Sequence, residues 1–202
     1  MRLFSSPTTP FGRIATVMMM ECGLEDRVEV IAASGTPLDS GTMPLAQNPL
    51  GKIPALELDD GRAIYDSRVI CRYFDELSGS GLYPACDRLW DVLTLEAAAH
   101  GIADAAVLMT YESRLRPAEL HFAPWVEGQW QKVARAMDAM EAQWMDLLEG
   151  SMTTAHIAVG SALSYLDFRH DLRGWRTTRP RLAAWEAAFA TRPAMHSTRP
   201  AG

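Results

Sequence analysis

Cysteine is scarce in this sequence. Only Cys22, Cys71 and Cys86 occur among 202 residues, an odd set with no CxxC pair. That excludes a disulfide framework and fits a reducing cytoplasm, with the thiols buried or incidental. Ligand-spaced histidine is missing too. His100, His121, His156, His170 and His196 are scattered, none at metal-ligand spacing from another His or Cys, so no metal site is expected. Positive charge is not in excess. The formal net charge of −6 gives no reason to expect nucleic acid or an anionic membrane surface as partner. No apolar run approaches the roughly 20 residues that span a bilayer. The longest near the start, Ala15 to Met20, is broken by Thr16. No charged region followed by an apolar core and a cleavage site opens the chain, so no secretory signal is predicted. What remains is ordinary for a soluble globular protein: 48% hydrophobic, 22% charged, and long enough for one large domain or two small ones.

The most informative stretch is NPLGKIPALELDDGRAIYDS, Asn48 to Ser67. Asn48-Pro49-Leu50-Gly51 is turn chemistry. Ile53 to Leu58 alternates like a half-buried strand. Asp59-Asp60-Gly61 is a hairpin signal, and Ala63-Ile64-Tyr65 reads as the return strand. Asp66-Ser67 opens an amphipathic helix with Val69, Ile70, Tyr73, Phe74 and Leu77 on one face. Pro54 stands where a strand should start, yet cannot donate to a ladder. A cis Ile53–Pro54 bond is one resolution; it would turn the Ile53 backbone outward, free to pair elsewhere.

Around this stretch the chain changes character. Met1 to Phe4 reads as a first strand. Ser5 to Pro10 is a loop, and Phe11 to Glu21 a helix with Ile14, Val17 and Met18 inward, capped by Thr8 or Thr9 and ended by Gly23. Val28 to Ala32 reads as a second strand. Ser78 to Pro84 is the clearest linker. From Arg88 onward only helices are predicted. The first runs to about Glu112, and Gly101 within it marks a bend or close packing. In the next, Val126, Trp130, Val133, Met137, Met140, Trp144 and Leu147 form a strict stripe, read as bundle core. Thr153 or Thr154 caps a helix over 155–170. Arg181 to Ala190 is the last helix, and the tail beyond it is expected irregular or loosely docked.

Asn48 to Leu77, together with SSPTTPFGRIA near the start and SALSYLDFRHDLRGW in the C-terminal half, resembles the cytosolic glutathione transferases, in their small bacterial branch. The resemblance covers nearly the whole chain. It implies an α/β thioredoxin-like domain with a mixed sheet over 1–78, a linker over 79–87 and an all-α helical-bundle domain over 88–202. It implies a glutathione S-transferase, with glutathione as co-substrate rather than any resident cofactor, a small hydrophobic electrophile as partner, and a two-fold homodimer in the cytoplasm. At His156 relatives usually carry Asp, completing a capping box; a neutral imidazole cannot supply the carboxylate's charge there.

Site residues follow from the same resemblance. Ser67, as N-cap, offers donors to the γ-glutamyl carboxylate, and Asp66 pairs the ammonium. The Ile53 backbone, freed by Pro54, pairs the middle of the tripeptide. Lys52 reaches for the glycyl carboxylate. The thiol activator is expected in the loop after the first strand. Thr9 aligns with the cysteine of cysteine-type relatives, just before Pro-Phe; Thr8 aligns better with some serine-type relatives. Thr9 is the choice, with Thr8 or backbone amides alone as alternatives. The missing cysteine argues against mixed-disulfide chemistry. Met109, Tyr111 and Arg114 are candidates for the electrophile site. A glutathione-dependent isomerase or peroxidase, or a non-catalytic interaction module of the same fold, stays open.

Overall fold

The computed structural model describes residues 1–85 and 87–200. Cys86 lies outside them; neither Cys22 nor Cys71 forms a disulfide among the described residues. The chain forms two compact units. One comprises Met1–Ala85 with the segment from Pro193 onward; the other is the intervening stretch, ending at Arg192.

In the first unit, strands β1 (Arg2–Ser5), β2 (Glu29–Ala32), β3 (Ala55–Glu57) and β4 (Ala63–Ile64) make one sheet in the order β2-β1-β3-β4. β1 runs parallel to β2 through the crossover helix α1 (Pro10–Glu21), whereas β3 pairs antiparallel to both β1 and β4. This is the mixed sheet that the resemblance implies. Pro10 opens α1, where its missing N–H costs nothing, and Gly23 closes it at φ 64°. Leu3, Ile14, Val17, Met18, Leu56 and Phe74 are fully buried around it.

Helix α2 (Ser67–Ser78) differs in phase from its sequence reading. Val69 is 48% exposed, and the buried face is Ser67, Ile70, Cys71, Phe74 and Asp75. That set keeps the i, i+3, i+4, i+7 spacing of one helix face, which Val69 falls outside. Buried Asp75 also anchors the stretch read as a linker. Its Oδ1 accepts from Leu82 N and Ser80 Oγ, both at 2.7 Å, and its Oδ2 accepts from Tyr83 N at 3.3 Å. Leu82 and Tyr83 are buried, so this segment is fastened to α2.

The tail is also more ordered than expected. Helix α8 (Pro193–Ser197) packs on α1, with Ala194 and Met195 buried. Buried Arg13 of α1 donates to the Met195 carbonyl at 2.7 Å and to Thr198 Oγ1 at 3.2 Å. The segment from Pro193 therefore belongs to the first unit, not to the helical one where the sequence put it.

Among the described residues every strand precedes Arg88. In the second unit α3 (Arg88–Leu115) packs against α4 (Ala123–Ala139) and α6 (Thr154–His170). By length and mean hydropathy α3 could cross a bilayer, although Asp91, Glu96, Asp104 and Glu112 interrupt it and leave no unbroken apolar run of that length. Its apolar residues Val92, Leu95, Ala99, Ile102, Ala103 and Ala106 are instead buried against its neighbours. Gly101 is exposed, and a Cβ there would meet nothing within 4 Å, so close packing does not explain it.

The Met/Trp stripe is real but interrupted. After α4 comes a π-helical turn, Met140–Trp144, then α5 (Met145–Leu148). The wider turn shifts the register, so Met145 and Leu148 join Leu147 inward while Trp144 is only part-buried. Glu141, in that turn, accepts from the backbone N–H groups of Arg181 (3.1 Å) and Leu182 (2.7 Å) at the start of α7 (Pro180–Phe189).

Candidate active site

The strand register gathers the site. Phe4 pairs with Ala55, so β1 leaves the sheet beside the point where Pro54 enters it. Leu56 pairs with Ile64, so β4 leaves at the same edge. The loop to Thr9, the Ile53–Pro54 step and the Tyr65–Ser67 step therefore share one end of the sheet. Helices α1 and α2 both begin there, capped by Thr9 and Asp66. Neither has an acidic residue in its first turn, so two positive dipole ends face one edge.

Thr9 is the N-cap of α1 by backbone geometry (φ −105°, ψ 132°), and its carbonyl accepts from Arg13 N at 3.1 Å. Its side chain makes no capping bond, contrary to the sequence expectation, and the hydroxyl has no hydrogen-bond partner among the described residues. The Thr8 hydroxyl is engaged with Ser6 Oγ at 3.1 Å. Gly12 lets these parts approach: a Cβ there would run into Ser5 Oγ and come within 2.7 Å of Thr9 Cγ2.

The Ile53–Pro54 peptide is cis, and so is Tyr65–Asp66. Neither the N–H nor the carbonyl of Ile53 pairs with another backbone group among the described residues. Asn48, which sequence reasoning treated only as a turn residue, holds this segment. It is buried, its Nδ2 donates to the Lys52 carbonyl at 2.8 Å, and its Oδ1 accepts from Leu50 N at 3.0 Å. An Asn opening an Asn-Pro-X-Gly turn was the available signal. The Lys52 side chain is exposed and meets no carboxylate among the described residues.

At α2 the structure exchanges two expected roles. Asp66, not Ser67, is the N-cap; its Oδ1 accepts from Arg68 N at 3.0 Å, while the residue itself stays exposed. Ser67 is the first helical residue and is buried. Together these segments offer helix-terminal amides, an unengaged hydroxyl and a free strand backbone, a set suited to an extended anionic ligand.

Residues 8–77 match the glutathione S-transferase N-terminal domain, and residues 123–188 match the glutathione S-transferase C-terminal domain. The chain belongs to the glutathione S-transferase family. A glutathione transferase family member from Pseudomonas fluorescens Pf-5, solved with bound glutathione, is 42% identical with a TM-score of 0.97, covering 100% of this chain and 99% of that one. A structure of a Pf-5 family member with bound S-(propanoic acid)-glutathione is also 42% identical, with a TM-score of 0.93 and 100% of both chains covered. The uncharacterized GST-like protein YibF of Escherichia coli K12 is 30% identical, over 99% of this chain and 98% of its own.

The electrophile candidates of this family member lie on α3. Met109 and Arg114 line one depression of about 380 Å³ within the helical unit, together with Val126, Phe168, Arg169 and Arg173. Tyr111 is not part of that lining.

Proposed function

We propose that this chain is a glutathione S-transferase that binds glutathione along the shared sheet edge and delivers its thiolate to a small hydrophobic electrophile. The observation that carries the reading is the register-imposed meeting of Thr9, Ile53 and Asp66–Ser67 at one edge. The 42% identical relatives bound to glutathione and to an S-substituted glutathione support it. In this reading the amides at the start of α2 and Ser67 hold the γ-glutamyl carboxylate, Asp66 pairs its ammonium, and Ile53 pairs the peptide backbone. Lys52 meets the glycyl carboxylate. The Thr9 hydroxyl, aided by the α1 dipole, donates to the sulfur and favours loss of its proton. The thiolate forms a C–S bond with the electrophile, which expels its leaving group or takes up a proton. Met109, Tyr111 and Arg114 are the proposed electrophile contacts. The protein acts as a cytoplasmic homodimer in this reading, and a monomer mass by light scattering at micromolar concentration would remove the dimer.

Isothermal titration with glutathione, followed by a panel of electrophiles, tests the reading. Binding with turnover is expected. Failure to bind glutathione would leave a non-catalytic module of the fold; binding with turnover only of isomerase or peroxide substrates would replace the conjugation step.

A further inference from the structure

The loop that delivers Ile53 to the shared sheet edge closes on one buried residue, Asn48. Asn48 makes four hydrogen bonds, two through its backbone and two through its side chain. Its N–H donates to the Pro44 carbonyl at 2.8 Å, and its carbonyl accepts from Gly51 N at 2.9 Å. Its Oδ1 accepts from Leu50 N at 3.0 Å, so its amide nitrogen faces the other way and donates to the Lys52 carbonyl at 2.8 Å. We propose that Asn48 is a positioning residue for glutathione: by holding the Lys52 carbonyl it aims the Ile53 N–H at the ligand. The inference rests on the proposed reading that Ile53 pairs with the backbone of the tripeptide, and it adds what points that donor.

The link between the two groups is covalent geometry. The Lys52 carbonyl and the Ile53 N–H are the two ends of one planar peptide, and that peptide is trans, so they point in opposite directions. Fixing the carbonyl therefore fixes the N–H, with no soft torsion between them. A hydrogen bond accepted at the oxygen also polarises the peptide and strengthens its N–H as a donor. That N–H has no backbone partner among the described residues, so it is the outward end of a short relay that starts at Asn48 Nδ2. The neighbouring side chain acts on the same loop differently. Gln47 Nε2 donates to Glu57 Oε2 at 2.7 Å, tying the loop to β3 without touching the Lys52–Ile53 peptide. Two adjacent residues thus divide two tasks: Gln47 anchors the loop, and Asn48 turns one peptide within it.

The test is isothermal titration of glutathione into the full chain and into its Asn48→Asp, Asn48→Ala and Gln47→Ala variants, at about pH 8, where a carboxyl is ionised. Circular dichroism checks that each variant is folded. Asn48→Asp keeps an acceptor for Leu50 N, and Asn48→Ala brings no charge; the loss they share is the donor to the Lys52 carbonyl. Both should raise Kd about tenfold, the scale of one hydrogen bond. Should Asn48→Ala misfold, Asn48→Ser, uncharged and too short to reach that carbonyl, takes its place. Gln47→Ala should keep Kd within about twofold. In turnover the Asn48 variants should show a raised KM for glutathione with kcat and the lower pH limb unchanged, whereas a merely loosened fold would lower kcat through the active fraction. Asn48 variants that bind as tightly as the wild type, a Gln47→Ala variant as weak as they are, or a fall in kcat at constant KM would each overturn the inference and leave the proposed function standing. No binding of glutathione by the wild-type chain would remove both.

Discussion

The backbone N–H of Thr153 donates to Nδ1 of His156 at 3.1 Å, and the Thr153 hydroxyl lies 3.0 Å from the same nitrogen. A capping box at the start of α6 is thereby completed with an imidazole where a carboxylate is usual. The carboxylate's charge is absent, as the sequence suggests, but its hydrogen bond is reproduced. This works only while Nδ1 is unprotonated. Burial, with the Arg192 and Arg88 guanidiniums adding to it, pushes the imidazole down to about 4. An unfolded histidine titrates near 6.5. Between those values the unfolded chain binds more protons than the folded one. Stability is therefore full above about pH 6.5 and declines as the pH falls toward 4, by on the order of 3 kcal/mol. Urea unfolding at intervals from pH 4.5 to 7.5 measures this. His156→Asn, which keeps an acceptor but cannot titrate, should flatten the slope; an unaltered slope would place the acid sensitivity elsewhere.

Two glycines should respond in opposite directions to alanine. At Gly12 the new methyl would meet Ser5 and Thr9, so Gly12→Ala should cost about 1–3 kcal/mol by overpacking. It should also displace Thr9 and depress glutathione turnover. At Gly101 there is open space, so Gly101→Ala should gain up to about 1 kcal/mol from helix propensity alone. Denaturant midpoints of the two variants decide it; a destabilised Gly101→Ala would mean that the glycine serves something other than helix geometry.

Thr9 and Thr8 should separate in their pH profiles. A free thiol near pKa 8.5 is only a few per cent ionised at pH 7. Loss of the unengaged Thr9 hydroxyl should lower kcat/KM about tenfold and move the lower pH limb upward by about one unit. Thr9→Ser should retain most activity. Thr8→Ala should do little, because its hydroxyl is occupied by Ser6. A shifted limb in Thr8→Ala alone would move the assignment by one residue; no shift in either would leave the helix-terminal amides as the activators.

Asp66 has two jobs that can be tested apart. Asp66→Asn keeps the cap on Arg68 N but removes the charge proposed to pair the glutathione ammonium. Its KM for glutathione should rise about tenfold with little change in kcat, the pattern of lost uniform binding. Ser67→Ala should act in the same sense. A fall in kcat at constant KM would place these residues near the reacting sulfur.

The elements legible in the sequence were those written locally. The Asn48–Gly51 turn, the Asp59–Gly61 hairpin, Pro10 at the head of α1 and Thr153 at the head of α6 depend on residues a few positions apart. The strand within Ile53–Leu58 and the stripe of α4 are likewise carried by neighbours in sequence, although Ala55 and Leu56 are both fully buried, so the alternation did not mark one solvent face. The family pattern joined these pieces into one fold and pointed to a single edge of the sheet.

Tertiary structure decided what depends on distant partners. Val69 and Cys71 are both apolar, and only the packing of α2 on α1 and β3 chose which would be buried. The tail forms α8 because Arg13, at the opposite end of the chain, binds the Met195 carbonyl. Asp75 fastens a Gly-Ser stretch that composition reads as free. The capping exchange between Asp66 and Ser67 turns on backbone angles at one residue. Arg114, Arg169 and Arg173 reach one depression from two helices and the turn after them, and no local pattern records that convergence. Turns, caps and periodicity are short-range, so the sequence by itself determined the elements; burial and charge pairing act through space, and they set each helix's phase, the seat of the tail and the pocket.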